Sequence, residues 1–293
     1  MARRQPPSTH GLAVVDKPAG VTSHDVVGML RRRFNERQVG HAGTLDPDAT
    51  GVLLVGVGRA TRLLRFLTDL GKTYTGQVVF GSTTDSLDST GTVVATYEMA
   101  GLTEETVRRA VAQHLTGAIL QIPPMVSAVK VDGKRLYELA REGAEVERAP
   151  RPVTVHRFDV AATPDPLVYD IEVQCSKGTY VRTLADDLGR LCGGGAHLRQ
   201  LRRVGVGSFT ADESAPPDDV QLLALPQAVR DYPTIPVSEA LAAMVRNGRA
   251  LARDECGAVG TGPWAVLGPD GELLAMYEAA DDDRVKPAVV LAL

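Results

Sequence analysis

Two strand-like segments, KTYTGQVVF (residues 72–80) and GTVVATYEM (91–99), follow one another across STTDSLDSTG, a polar and turn-rich connection. Parallel neighbours need a long crossover, usually a helix, whereas antiparallel neighbours need only a turn. Further on, LVYDIEVQC alternates with a period of two and places Tyr169, Ile171, Val173 and Cys175 on one face. GVLLVGVG (51–58) is a short apolar run that reads as a buried strand, and another strand is expected around Leu12 to Val15. These segments do not alternate regularly with crossover helices. A doubly wound parallel sheet is therefore disfavoured, and the expected class is α+β, with a mixed, mainly antiparallel sheet and flanking helices.

The helices announce themselves by caps and by spacing. Thr22-Ser23-His24-Asp25 offers an N-cap, followed by Val26, Leu30 and Phe34 on one face. A basic helix is expected around Arg59 to Leu67, and another after Thr103, with Val107, Val111 and Leu115 on its stripe and Gly117 as its stop. TYVRTLADDLGRL reads as a helix whose apolar stripe is Val181, Leu184, Leu188 and Leu191, ended by Gly193 to Gly195. Residues 121–152 have prolines at both ends, a DG turn and one short basic helix, Lys134 to Glu142, and suit an inserted arm. Past residue 230 the chain turns acidic and short-stranded, and GPWAVLGPDGELLAMYE forms a hairpin around a GPDG turn. The expected division is thus residues 1–229, with the arm inside it, and a small β-rich domain over 230–293.

A chain of 293 residues, 44% hydrophobic, can bury one large core and a second small one. The apolar stretch near the amino terminus, Leu12 to Val15, is too short for a signal-peptide core, and no run approaches membrane-spanning length, so the expected location is cytoplasmic. Cys175, Cys192 and Cys256 are odd in number and widely separated, which points to neither a disulfide framework nor a zinc site.

The formal net charge of −4 hides a division along the chain. Residues 211–293 carry 6 Lys+Arg against 14 Asp+Glu, a balance of −8, and residues 1–210 carry 26 against 22, a balance of +4. Residues 1–65 hold ten basic and five acidic side chains, and residues 175–210 hold six and two. Two local basic surfaces are available for phosphates; Arg31, Arg32 and Arg33 taken alone read as a solvated helix face, and it is the two clusters together that carry weight.

HAGTLDPDATG (41–51) is the segment richest in chemistry. Asp46, Asp48, Thr50 and Gly51 fall on positions 1, 3, 5 and 6 of a calcium-binding EF-hand loop, but position 12, which needs a bidentate Glu, is Val57. No metal is expected there. A residue before proline is pushed into an extended conformation, so Asp46 is held on a stiff corner, with Gly43 and Gly51 to bend the backbone on either side. Such a corner either presents a carboxylate oxygen to a ligand or caps its own turn, as Asp-Pro segments do. Gly56-Val57-Gly58 only faintly resembles a dinucleotide fingerprint, because Thr61 stands where the third glycine belongs.

Five ordered blocks settle which of these uses to expect. VDKPAGVTSHDVV, VGHAGTLDPDATGVLLVGVGRATRL, GKTY, PPMVSAVKVDGKRLYELAREG and CSKGTYVRTLADDLG together resemble the bacterial tRNA pseudouridine synthase B family, which isomerises uridine 55 in the T loop of tRNA. The resemblance runs from about Gly11 to Arg203 and implies a pseudouridine synthase fold with a carboxy-terminal domain similar to the PUA type. In most members the residue after the Asp-Pro pair is apolar; here it is Asp48.

The resemblance implies Asp46 as nucleophile, Tyr74 as the active-site tyrosine beside the base, and Arg182 as the cation that keeps Asp46 ionised. A neighbouring guanidinium lowers the pKa of an Asp by about 1 to 3. It also implies His41, Tyr180 and Leu201 as substrate-binding residues, and Lys17 and Pro18 as structural support for the active loop. Lys130, Lys134, Arg135 and Arg141 on the arm, with Arg199, Arg202 and Arg203, are then expected to contact RNA phosphates. The expected partner is the T stem-loop of tRNA, with no obligatory protein partner and no cofactor, since the isomerisation has nothing to oxidise. From the residues alone, Arg182 reads equally as solvent-exposed, and Tyr74, Tyr180 and Leu201 as ordinary packing. An RNA-binding module and a hydrolase that uses Asp48 as its second carboxylate also stay open.

Overall fold

The computed structural model describes residues 8–127, 130–131, 134–135 and 146–291. The chain opens with β1 (Gly11–Lys17), α1 (Ser23–Arg33), β2 (Val39–Ala42), β3 (Thr50–Val57), a 3-10 turn over Gly58–Leu63 and α2 (Leu64–Asp69). Its middle runs β4 (Lys72–Phe80), β5 (Ser82–Thr84), β6 (Val93–Thr96), α3 (Glu104–His114), β7 (Gly117–Gln121), β8 (Lys130–Val131), β9 (Lys134–Arg135), β10 (Arg151–Ala162), β11 (Val168–Cys175), α4 (Val181–Leu191) and β12 (Ala196–Val206). The last part holds β13 (Phe209–Thr210), β14 (Leu222–Leu223), α5 (Leu225–Ala228), β15 (Thr234–Pro236), α6 (Glu239–Arg246), β16 (Leu251–Ala252), α7 (Arg253–Cys256), β17 (Trp264–Leu267), β18 (Leu273–Ala279) and β19 (Arg284–Val290). No helix among the described residues is long and apolar enough to cross a membrane.

Two compact units share the chain: residues 1–47, 51–69 and 207–293 form one, and residues 48–50 and 70–206 the other. In the first, β1 lies between β14 and β3, antiparallel to both, and β2 adds to β3. Val52 to Val55 and Val57 are wholly buried, as a strand apolar on both faces must be. The amino end of α1 is a capping box, in which Thr22 accepts from Asp25 N–H and the Asp25 carboxylate accepts from Thr22 N–H. The expected basic helix at 59–67 begins instead as the 3-10 turn and becomes α-helical only at Leu64.

The same unit contains a five-stranded sheet in the order β15-β17-β18-β19-β16, antiparallel except for β15 on β17. The GPDG hairpin expected from sequence joins β17 to β18. Its core is built on Trp264, Val266, Leu274, Tyr277 and Val285. The two polar aromatic tips are satisfied, Trp264 by the Val259 carbonyl (2.8 Å) and Tyr277 by the Arg249 carbonyl (2.6 Å).

The second unit is an antiparallel sheet in the order β12-β4-β11-β10-β7. On β11 the alternation is as expected, with Tyr169, Ile171, Val173 and Cys175 buried. Thr103 caps α3, whose Val107 and Val111 are buried together with Leu115. Helix α4 buries Val181, Leu184 and Leu188, but Leu191 is 42% exposed, because the apolar stripe ends one turn before the helix does. Gly189 is required there, since a Cβ would strike the backbone of Ala196. In the arm, Lys130–Val131 and Lys134–Arg135 pair antiparallel, so the expected helix from Lys134 to Glu142 does not begin at Lys134; its remainder lies outside the described residues.

Candidate active site

Asp46 stands in the 43–49 connection between β2 and β3, where Ala42 pairs with Leu54 and His41 with Val55. Gly43 (φ 82°) and Gly51 (φ 99°) adopt the left-handed backbone that lets the chain leave one strand and enter the next. Leu45 and Ala49 anchor the loop by burial, whereas Asp46 is half-buried and Pro47 and Asp48 are exposed. Val57, at the far end, is buried in β3, which is why this loop lacks an EF-hand's last ligand.

Hydrogen bonds fix the backbone on both sides of Asp46. Ser23 Oγ accepts from the Leu45 N–H (2.9 Å) and donates to the Leu45 carbonyl (3.1 Å). The Pro47 carbonyl accepts from the Gly20 N–H (3.0 Å) and from Lys17 Nζ (2.8 Å). Lys17 is fully buried, and its ammonium also donates to the carbonyls of Pro18 and Val21, each at 2.8 Å. A buried ammonium is tolerated only when its three protons are taken up, and three main-chain oxygens do so here. Lys17 thus ties the turn at 18–21 to the residue after Asp46. His41 is half-buried on β2.

In the second unit Tyr74 is buried on β4, opposite Val173 of β11 and Arg203 of β12. The β12 ladder steps from Arg199 opposite Gln77 to Arg202 opposite Thr75, a bulge in which Gln200 takes φ 56° and Leu201 leaves the regular alternation, half-buried. Gly76 faces the bulge, where a Cβ would lie 3.3 Å from the Arg199 carbonyl oxygen. Bulges of this kind re-aim a side chain. Cys175, opposite Lys72 at the end of β11, has its thiol pushed up to about 11 by burial, despite the nearby positive charge of Lys72 and Arg203.

Arg182 lies in the first turn of α4 and is buried at 4% exposure, which excludes the solvent-exposed reading. Its guanidinium donates to the carbonyls of Ser86 and Val126, both at 2.8 Å, and its Nε lies 3.6 Å from Asp88 Oδ2. Asp88 is fixed in turn, its Oδ1 accepting from Ser86 Oγ (2.6 Å), Thr90 Oγ1 (2.6 Å) and Thr90 N–H (3.0 Å). STTDSLDSTG is therefore more than a polar connection: its hydroxyls and carboxylate build the seat of an arginine. Two residues before Arg182, Tyr180 is half-buried, and the Gln121 side chain grips its backbone by accepting from Tyr180 N–H (2.7 Å) and donating to its carbonyl (3.1 Å).

The basic track divides. Arg199 donates twice to Gln77 Oε1 (3.0 and 2.7 Å), and Arg202 reaches Thr50 Oγ1 at 3.4 Å. Arg203, expected at a phosphate-facing surface, is instead buried at 1% exposure, because its place on β12 turns it into the core opposite Tyr74. Lys130, Lys134 and Arg135 lie on the paired short strands, and Arg141 lies outside the described residues.

Ser23, Asp88 and Gln121 carry no functional signal in the sequence. Ser23 was visible only as part of a cap signal. Asp88 lay within turn chemistry, and Gln121, one polar residue at the end of a strand, carried no signal.

The fold is that of the pseudouridine synthases. A chain in the crystal structure of a Cbf5-Nop10-Gar1 complex superposes with a TM-score of 0.74 at 24% identity, over 96% of this chain and 84% of that one. Residues 31–181 match the TruB family pseudouridylate synthase amino-terminal domain, residues 182–246 the tRNA pseudouridylate synthase B carboxy-terminal domain, and residues 232–292 the tRNA pseudouridine synthase II carboxy-terminal domain. The tRNA pseudouridine synthase B of Arthrobacter sp. (strain FB24) is 44% identical, and that of Mycobacterium sp. (strain KMS) 48% identical, each over 96% of both chains. The chain belongs to the TruB family of pseudouridylate synthases and is an isomerase.

Proposed function

We propose that this enzyme converts uridine 55 in the T loop of tRNA to pseudouridine, with Asp46 as the nucleophile. The observation that carries the reading is the immobilised backbone around Asp46: Leu45 is bound on both its N–H and its carbonyl, and Pro47 on its carbonyl. A carboxylate so carried is oriented before substrate arrives, and the reaction is spared the cost of ordering it.

The chemistry breaks the bond from C1′ to N1 and makes one from C1′ to C5, so atoms and oxidation state are conserved and no cofactor is needed. Asp46 attacks C1′ or accepts the 2′ proton to give a glycal; either step frees the uracil to turn. The C5 proton is then lost and N1 gains one. Tyr74 stacks on the base, and Tyr180 and Leu201 line its pocket. Arg182 stabilises the carboxylate, and His41 contacts the remodelled loop.

Extruding the target base costs a few kcal/mol. Stacking it on an aromatic side chain returns about 1 to 3 kcal/mol. The T stem-loop is recognised by shape and splayed bases, with phosphate contacts from the arm and from Arg199 and Arg202 giving salt-dependent affinity. The carboxy-terminal domain, PUA-like over residues 230–293, touches at most one edge of the tRNA, because it carries 6 Lys+Arg against 10 Asp+Glu, a balance of −4. The activity is placed in the cytoplasm.

Mapping pseudouridine on an unmodified tRNA transcript after incubation with the enzyme tests the position. Modification at uridine 55, and none in a transcript carrying cytidine there, is the expected result. Modification elsewhere with uridine 55 untouched overturns the assignment.

A further inference from the structure

The segment that leaves β7 touches the start of α4 twice. At residue 121 the Gln side chain pairs with the Tyr180 backbone as a neighbouring strand would, accepting at 2.7 Å and donating at 3.1 Å. At residue 126 the main-chain carbonyl takes a 2.8 Å hydrogen bond from the Arg182 guanidinium. Residues 180 and 182 are thus both bracketed by one six-residue stretch, 121–126. Tyr180 occupies the N-cap position of α4 and makes no side-chain cap of its own, so its backbone conformation is not set by the helix. Gln121 is 2% exposed, and its amide sets a donor beside an acceptor at the same reach, which an apolar or acidic side chain of that length does not. A buried amide that spends both functions on one residue's backbone orients that residue.

We propose that Gln121 is a positioning residue for the isomerisation: by clamping the Tyr180 peptide groups it sets the direction of the Tyr180 ring and the entry into α4 ahead of Arg182. Gln121 itself does not touch the substrate. This inference rests on the reading of Tyr180 and Arg182 as residues of the reaction site, and it adds the device that aligns them. Alanine at 121 removes both hydrogen bonds. Glutamate keeps the volume and the acceptor, but sets an anionic oxygen against the Tyr180 carbonyl in place of the donor.

The test uses the full chain as wild type, Gln121→Ala and Gln121→Glu, with three readouts: single-turnover pseudouridine formation on saturating tRNA, the tRNA Kd, and hydrogen exchange of the Tyr180 amide. Both variants are expected to lose between about 10- and 100-fold in rate with Kd within about threefold, since misplacement by an ångström costs on this scale. In Gln121→Ala the Tyr180 amide is expected to exchange about tenfold faster or more, while amides of the β10–β11 ladder keep wild-type protection. A rate within twofold of wild type in Gln121→Ala, once Tyr180 has lost protection, overturns the inference. So does an Ala variant that loses rate and tRNA affinity in equal measure. A wild-type enzyme that forms no pseudouridine overturns the functional reading itself, a different result from an active wild type with an unaffected variant.

Discussion

Lys17 Nζ lies 2.8 Å from the carbonyl oxygen of Pro47, the residue that follows Asp46, and has no exposure to solvent. One buried cation thereby links the end of β1 to the loop that carries the carboxylate. Lys17→Met keeps the length of the side chain and removes its donors, leaving the carbonyls of Pro18, Val21 and Pro47 without this partner. A loss of about 2–4 kcal/mol in unfolding free energy is expected, measured by denaturant titration.

Ser23 tests the other side of the loop. Its hydroxyl is bound to both the N–H and the carbonyl of Leu45, within buried surroundings. Ser23→Ala is expected to cost about 1–2 kcal/mol of stability. It should also slow single-turnover catalysis by about tenfold while tRNA affinity is kept, because what is lost is the fixed direction of Asp46.

Arg182→Lys asks whether charge alone suffices. The guanidinium reaches two carbonyls and Asp88 from a rigid plane, and an ammonium on a flexible stem does not reproduce that fork. Pseudouridine formation is expected to fall by about 100-fold or more, with the protein still folded by circular dichroism.

Cys175 reports on the sheet. With its thiol pushed up to about 11 by burial, Cys175 stays in the unreactive thiol form at pH 8. Iodoacetamide at pH 8 is therefore expected to spare Cys175 in the native protein and to label it on unfolding; the half-exposed Cys192 should react first. The sign of the linked stability follows. The fold holds this proton more tightly than the unfolded chain does, so the contribution is intact below the ordinary thiol value of 9.0 and is lost as the pH climbs towards 11.

The strands that position the site were legible in sequence because their burial patterns are simple: β3 is buried without a break from Gly51 to Val57, and β11 alternates from Tyr169 to Cys175. The Thr22 cap was legible for the same reason, being a local exchange between residues three apart. What escaped was long-range. The bulge at Gln200 and Leu201 is specified by the approach of Gly76 on another strand, and neither segment announces it alone. Charge leads one to expect Arg203 at the surface, yet its place on β12 opposite Tyr74 puts it inside. The seat of Arg182 joins residues 86, 88 and 126, and no spacing rule connects positions so far apart.

We propose that the Asp46 carboxylate performs the chemistry. Release of tritium from tRNA labelled at C5 of uridine, followed for wild type and Asp46→Asn at tRNA concentrations where both are bound, tests it most directly. Steady release is expected with wild type and none with Asp46→Asn, with tRNA still bound. Release by Asp46→Asn within tenfold of wild type would contradict it.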